Sequence, residues 1–486
     1  MYLGIDLGTS GIKAMLIDDG FNVVATAHES LSVSRPHPGW SEQDPADWIA
    51  ACSKVIAEIR RAKPEAWAKL QAIGLSGHMH GATLLDSADQ VLRPCILWND
   101  GRSGAQCETL DKRADFRGIG GNLVMAGFTA PKLLWVAENE PEIFARVAKV
   151  LLPKDYLRLW LTGGHVAEMS DAAGTLWLDV AKRDWSDELL AATGLDRSHM
   201  PSLVEGSDVS GQLRAELAGE WGVGQVAVAG GGGDNAATAC GMGVIQPGVG
   251  FLSLGTSGVL FASTASYAPN TGDAVHTFCH ALPETWHQMG VILSATDSLA
   301  WLSEITGKSA PELAALVADP VTAVSDVAFL PYLSGERTPL NDPGATGAFV
   351  GLRRANGLAD LAQAAMEGVA LAFADCANAL RKAGTPVEAA FAVGGGARSE
   401  SWLKIIASAT GVTLLVPEDG DFGAAFGAAK LAVACKTGDV SAATFGTPRV
   451  SKEIAPDAAL AGAYAEKLVL QREAYMALRE LDRAEA

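Results

Sequence analysis

The sequence predicts an α/β protein made of two related halves that face each other across a cleft. Two observations carry this. The pentapeptide LGTSG occurs twice, at residues 7–11 and 254–258, 247 positions apart in a chain of 486. So long a period points to a duplicated domain rather than to a solenoid. Each half also contains a strand, a glycine turn and a helix in succession: 226–229 enters Gly230 to Gly233, and 389–393 enters Gly394 to Gly396. Strands that end in polar, Gly-rich loops are the usual site-building pattern of α/β proteins.

Composition narrows the class. The length suits two to three domains, each with its own core. With 49% hydrophobic and 19% charged residues, the chain has the make-up of a soluble globular protein. A net charge of −19 argues against a nucleic-acid partner, which needs a basic face. The seven cysteines are scattered without a CxxC spacing, as expected of free thiols in a reducing compartment. Asp6 interrupts any apolar run at the N-terminus, so no signal peptide is expected. No apolar stretch is long enough to span a membrane. The expectation is a cytoplasmic protein with small-molecule partners.

Taken in order, the elements build two similar units. Tyr2, Leu3 and Ile5 precede the first LGTSG, and Ile12 and Ala14 to Ile17 follow it. That reads as a β-hairpin whose turn is supplied by Gly8 and Gly11. Such a loop presents bare N–H groups, here from Gly8, Thr9 and Ser10, that suit phosphate oxygens. Asp6 ends the incoming strand. A carboxylate beside a phosphate is repulsive unless a cation lies between them, which points to Mg²⁺. A plain glycine hairpin with a solvated aspartate is the structural alternative. In the second copy Ser253 stands where the first has Asp6, so only the first hairpin brings a metal-binding carboxylate.

A third strand is predicted at 22–27. Asp44 caps a helix with Pro45 at its first position, and Trp48, Ile49, Cys52, Ile56 and Ile59 keep helical spacing to about Arg60. A strand at 72–75 ends in Gly77, His78, Met79, His80 and Gly81. Strands at 82–86 and 93–98 follow, the latter ending in Trp98, Asn99, Asp100, Gly101 and Arg102. A helix runs from Pro153 to about Leu161, and 170–175 is a loop of small residues. The stretch 243–250, with Pro247, marks the domain boundary, giving domains 1–246 and 247–486. In the second half, His276, His280 and His287 have suggestive spacings, but Pro283 between the last two argues against a shared metal site. A strand opens the polar loop FLPYLSGERTP at 329–339. Residues 358–383 form a long amphipathic helix, a helix starts near Glu400, 422–434 is a small-residue helix, and 458 to about 483 is a charged helical tail.

Two such halves suggest a nucleotide held between lobes. Phosphates would meet Gly8 to Gly11 on one side and Gly255 to Gly258 on the other, and Gly394 to Gly396 would let adenosine approach the backbone. There is no Walker A sequence. Asp234 stands at a predicted helix start, where the dipole favours its ionised form. A sugar hydroxyl attacking a γ-phosphate needs only a modest base. The alternative is that Asp234 is a helix N-cap, and one residue can do both.

These motifs together resemble the FGGY carbohydrate kinases, within the superfamily of actin, hexokinase and the Hsp70 ATPase domain. The likeness runs from Met1 to about Ala434. It includes IDLGTSG at 5–11, SRPHPGWSEQDP at 34–45, MHGATLLD at 79–86, ILWNDGR at 96–102, LLPKDYLRL at 151–159, SDAAGTLWLDVAKRDWS at 170–186, GGGDNAA at 231–237, SLGTSG at 253–258, FLPYLSGERTP at 329–339 and GGGARSE at 394–400. The resemblance implies two RNase H-like domains, of the actin-like ATPase kind, closing over ATP–Mg²⁺ and a ketopentose, D-xylulose. It implies Asp6 for metal and phosphate handling and Asp234 as general base. It implies Met79 and His80 as the sugar-binding pair, with Asn99, Asp100 and Arg102 near the sugar. It implies Gly255, Thr256, Gly395, Gly396 and Ala397 for the nucleotide, and a homodimer. His78 departs from the usual Gln of such enzymes and would bear on pH dependence and substrate preference. Kinases of other ketoses or polyols share the ATP half, and a non-catalytic actin-like binding protein would lack the sugar base.

Overall fold

The computed structural model describes residues 1–318, 321–418 and 422–485. Two seven-stranded sheets share one plan. In the first, Tyr2–Leu7 is central. It pairs antiparallel with Gly11–Ile17, which pairs with Val23–Ser30, and on its other side it runs parallel to Ala72–Gly77, beyond which lie Ala227–Ala229 and Val209–Gln212. In the second, Val249–Leu254 pairs antiparallel with Gly258–Thr264 on one side, beyond which lie Trp286–Ile292 and His276–Cys279, each antiparallel to the strand before it. On the other it has the parallel strands Ala389–Val393 and Thr413–Pro417, then Val450–Ile454. The repeated pentapeptide thus closes the same hairpin in both sheets, as duplication requires.

The central strands are apolar along both faces because both faces are covered. Helix Pro45–Ala62 covers one side of the first sheet. The Asp44 side chain accepts from the Ala46 N–H at 2.9 Å, and Trp48, Cys52, Val55, Ile56 and Ile59 face the sheet. The other side is covered from an unexpected source. Helix Ala424–Thr437, far along in the second half, packs on the first sheet and on helix Asp234–Met242. A Cβ on Gly4 would lie 1.9 Å from the Ala425 carbonyl oxygen, one on Gly74 would lie 1.8 Å from that of Ala428, and one on Gly427 would lie 1.7 Å from that of Ala237. The small residues there allow backbone to meet backbone. Among the described residues no helix is long and apolar enough to cross a membrane.

Several local expectations change. Neither Gly8 nor Gly11 has a positive φ. Gly11 is needed for space instead, since a Cβ there would meet His28 Nε2 at 2.6 Å and the Glu29 carbonyl oxygen at 2.7 Å. The small-residue stretch expected as a loop forms helix Met169–Ala173, because the buried Glu168 carboxylate accepts from the N–H groups of Ser170 and Asp171. Helix Leu358–Lys382, expected to be amphipathic, is in addition buried on every side from Ala364 to Ala377. The second sheet packs on it, as do helices Thr296–Thr306, Glu400–Thr410 and Ala458–Glu485.

Candidate active site

Sheet register assembles the two aspartates. Asp6 pairs with Ser76 and Leu7 with Gly77, and on the other side of that strand Gly232 pairs with Ser76 and Gly233 with Gly77. Three parallel strands therefore end together, and ligands of α/β sheets bind at such ends. Burial first, then the charge of Asp234, pushes the Asp6 carboxyl up to about 6, while the Ser76 hydroxyl and, less, Lys13 pull it down. Burial pushes Asp234 up to about 6 as well, against the hydrogen bonds it accepts from Asn235. Asp6 Oδ1 is buried without a hydrogen-bond partner. Two neighbouring carboxylates with an orphaned oxygen form a donor set that suits a divalent cation, and Mg²⁺ commonly takes one or two carboxylates and fills its shell with phosphate oxygens and water.

Asp234 is not the helix cap. Gly233 holds the N-cap position and Asp234 is the first helical residue. Its Oδ1 accepts from Asn235 N at 2.7 Å and Asn235 Nδ2 at 3.0 Å, and its Oδ2 takes no hydrogen bond among the described residues. One oxygen is held and the other is free of protein hydrogen bonds among the described residues. The turn before it is fixed by the Gly233 N–H, which donates to Ser170 Oγ at 3.0 Å.

The loop after Ala72–Gly77, expected to bind sugar, touches this turn. A Cβ on Gly233 would meet Met79 Cγ at 2.9 Å, and one on Gly174 would meet Met79 Cε at 2.6 Å. His80 has a φ of 71°, a strained value for a non-glycine residue of the kind that clusters at functional sites. Its carbonyl oxygen is held there by Lys132 Nζ at 2.8 Å and Thr129 Oγ1 at 3.2 Å. Its Nδ1 lies 2.6 Å from the Gly174 carbonyl oxygen. A carbonyl only accepts, so Nδ1 carries the proton, and Nε2 of this neutral ring is an acceptor. Burial holds the His80 imidazole well below its ordinary value. His78 lies in the core instead, edge-on to Trp48 at 5.9 Å, and burial lowers it to about 3. It is neutral at working pH, so no pH dependence is expected from it.

Asn99 is exposed, whereas Asp100 and Arg102 are spent on each other. Arg102 Nε and Nη2 donate to the two Asp100 oxygens at 2.8 and 2.7 Å, and its guanidinium lies 3.5 Å over the Trp40 ring. Asp100 also accepts from Ser41 N, and Glu42 joins Arg102 to Arg93. The network stiffens the loop, and Trp98 Nε1 ties that loop to Thr9 Oγ1 at 2.9 Å.

On the other side of the cleft, Thr296 holds the second hairpin through Oγ1 to the Gly255 carbonyl at 2.8 Å, and Ala295 N donates to that of Thr256 at 2.8 Å. Gly394, at a φ of 94°, turns the chain where a Cβ would lie 2.6 Å from the Leu254 carbonyl oxygen. Next to it opens a cavity of about 560 Å³ lined by Thr296, Leu299, Gly395, Gly396 and Trp402. A second, of about 530 Å³, runs from Gly394 and Ala397 to Thr238 on the helix that begins at Asp234. Among the described residues no group of three His, Cys, Asp or Glu side chains is placed to hold a metal, so His276, His280 and His287 are core residues. Lys132, Gly174 and Asn235 were not singled out from the sequence. Only Asn235, adjacent to Asp234, carried a local signal.

Family models for the N-terminal and C-terminal domains of the FGGY family of carbohydrate kinases match residues 1–241 and 250–435. The chain belongs to the FGGY family of carbohydrate kinases. It is 51% identical over 434 residues to a xylulose kinase of Escherichia coli, covering 89% of each chain. The crystal structure of a xyloylose kinase from Brucella ovis superposes with a TM-score of 0.97 at 56% identity, covering 99% of both chains. A xylulose kinase from Rhodospirillum rubrum superposes at 0.92 with 29% identity, again over 99% of both. Membership makes the protein a carbohydrate kinase of the two-domain, actin-like fold.

Only ionised carboxylates can hold a cation or take a proton, so if Asp6 and Asp234 have those roles the two raised aspartates set an acid limit. The acid limb of the kcat/KM profile is expected to bend near 6, because both groups titrate about there, rather than near the ordinary carboxylate value. A profile that stays flat down to about pH 5 would contradict the assignment.

Proposed function

We propose that this kinase transfers the γ-phosphoryl group of ATP to D-xylulose, giving D-xylulose 5-phosphate and ADP, with Asp234 as general base. The reading draws its substrate from the relatives named above. The observation that carries its chemistry is the packing of Met79 against Gly233, which sets the sugar loop beside the free Asp234 Oδ2. Residues 1–246 would hold the sugar and both aspartates, and 247–486 most of the nucleotide site.

Asp234 Oδ2 accepts the proton of the attacking hydroxyl. The sugar hydroxyl oxygen bonds to the γ-phosphorus while the bond from that phosphorus to the β–γ bridging oxygen breaks, and ADP leaves with that electron pair. Backbone N–H groups of Thr9, Ser10, Gly255 and Thr256 would cradle the phosphates; the Gly8 N–H, expected to join them, instead donates to the Gly11 carbonyl at 3.0 Å and closes the turn. Gly395, Gly396 and Ala397 would receive the adenosine; no atom lies within 4 Å of a Cβ position on Gly395, so its backbone is open to close approach. Asp6 would hold Mg²⁺, which when bound offsets the phosphate charge. Arg102 and Asp100 keep the loop rigid while Asn99 stays exposed at its surface.

His80 Nε2 accepts from a sugar hydroxyl. His80→Ala is expected to raise the KM for D-xylulose by about 5- to 150-fold, the value of one buried hydrogen bond, and to leave that for ATP nearly unchanged. Steady-state kinetics with each substrate varied in turn checks this, and a loss falling mainly on ATP would misplace the pocket. Phosphate transfer across a panel of pentuloses, hexuloses and polyols tests the sugar itself.

A further inference from the structure

The polar loop after Ala328–Leu330 belongs to the second half, and its backbone is anchored there. Thr338 N donates to the Val291 carbonyl at 3.0 Å, Val291 N donates to Thr338 Oγ1 at 3.1 Å, and Glu336 Oε1 accepts from Leu293 N at 3.0 Å. From this fixed base Arg337 reaches into the first half. Its Nη2 lies 3.8 Å from where a Cβ on Gly127 would stand. Lys132 Nζ donates to the carbonyls of Gly127 and His80, both at 2.8 Å, so Gly127 and the sugar loop are neighbours. The Arg337 charge is felt at His80 and at His276.

The guanidinium has no employment in the protein. Among the described residues it makes no side-chain hydrogen bond and no ion pair. The adjacent Glu336 is pushed up to about 8 by burial, and its Oε1 is bound to backbone N–H groups, so it does little to neutralise the charge. A largely buried cation without a partner is expensive. The cost is offset when a ligand brings oxygen acceptors, and a ketose brings a carbonyl and several hydroxyls. A guanidinium presents five donors in a rigid fork, and His80 Nε2 faces the same neighbourhood as an acceptor.

We propose that Arg337 is a sugar-binding residue supplied by the second half, so that the ketose is held by both halves at once. The sugar then bridges the cleft, with its acceptors on Arg337 and a donor on His80, and its binding favours the closed arrangement that brings the nucleotide half to Asp234. The inference rests on the sugar site proposed above.

Arg337→Met keeps length and apolar bulk but removes the donors. The KM for D-xylulose is expected to rise by about tenfold or more, as for a lost hydrogen bond to a charged group, while the KM for ATP stays within about twofold. Without ligands the melting temperature should hold or rise, since an unpaired buried charge is gone, but D-xylulose should no longer raise it. Arg337→Lys, a point charge without the fork, should fall between, and it carries the same KM comparison if the Met variant does not fold. An unchanged sugar KM, or an ATP KM raised as much as the sugar's, overturns the proposal. If the wild-type protein phosphorylates D-xylulose and Arg337→Met keeps its sugar KM, this inference alone falls. If the wild type transfers no phosphate to D-xylulose, the functional reading falls and takes the inference with it.

Discussion

Asp234→Ala is expected to lower kcat by about 10²- to 10⁴-fold, the usual contribution of a positioned general base. The geometry explains why no neighbour substitutes for it. Asn235 holds Oδ1 through two hydrogen bonds, which leaves Oδ2 for the proposed proton transfer, and Met79 sets the proposed sugar loop against the glycine just before it. With the carboxylate gone, the hydroxyl has only unpositioned water as acceptor. Slow ATP hydrolysis in the absence of sugar should be lost too, since water then occupies the same place. Nucleotide binding should survive, because the hairpins and the Gly394 turn lie elsewhere. The variant should also fold. Gly233, not Asp234, occupies the cap, and the carboxylate's folded value of about 6 lies above its unfolded one. A group with a raised folded value favours the native state most at low pH, and that contribution is lost as pH rises through about 6. At neutral pH the ionised side chain therefore works against folding, and its removal should leave the melting temperature unchanged or higher. Calorimetric ATP titration, a melting curve and kcat on the same preparation check all three. A variant that melts early but turns over normally would make Asp234 a structural residue.

Asp6→Asn is the second large effect. The amide keeps the shape of the carboxylate but cannot offset a cation's charge. Asp6 has an orphaned buried oxygen and a carboxylate neighbour, an arrangement whose repulsion a cation relieves. Metal-assisted charge stabilisation is worth several kcal/mol, so activity at ordinary Mg²⁺ should fall by upward of about 100-fold. A Mg²⁺ titration should show a raised requirement, with partial recovery at high concentration. Near wild-type turnover at ordinary Mg²⁺ would remove Asp6 from the metal site.

What could be read from the sequence was what lies in one contiguous stretch. The two LGTSG hairpins, the Asp6–Ser253 difference and Asp234 after its glycines each show within a few residues, and repetition ties them to one plan. Contacts between distant segments could not be read. Small residues at 424–437 indicate close packing but not that its partner is the other half's sheet, where Gly4 and Gly74 admit it. The segment WNDGR looked like a ligand loop throughout, yet Asp100 and Arg102 are consumed by one another and by Ser41 and Glu42. The helix Met169–Ala173 was hidden because its cap, Glu168, stands outside the run of small residues that resembled a loop. Lys132 and Arg337 had no local signal, since their meaning comes from the carbonyls of Gly127 and His80 and from a guanidinium that makes no ion pair among the described residues, its neighbour Glu336 being bound to backbone N–H groups.

The central claim is phosphoryl transfer from ATP to a ketopentose hydroxyl activated by Asp234. Phosphorus NMR of the protein with ATP, Mg²⁺ and D-xylulose tests it most directly. The expected spectrum gains ADP and, in equal amount, one new phosphomonoester whose coupling places it on the terminal carbon, and the Asp234→Ala protein gains neither on the same timescale. ADP accompanied by inorganic phosphate and no sugar ester, or the same ester formed as fast without Asp234, would contradict the account.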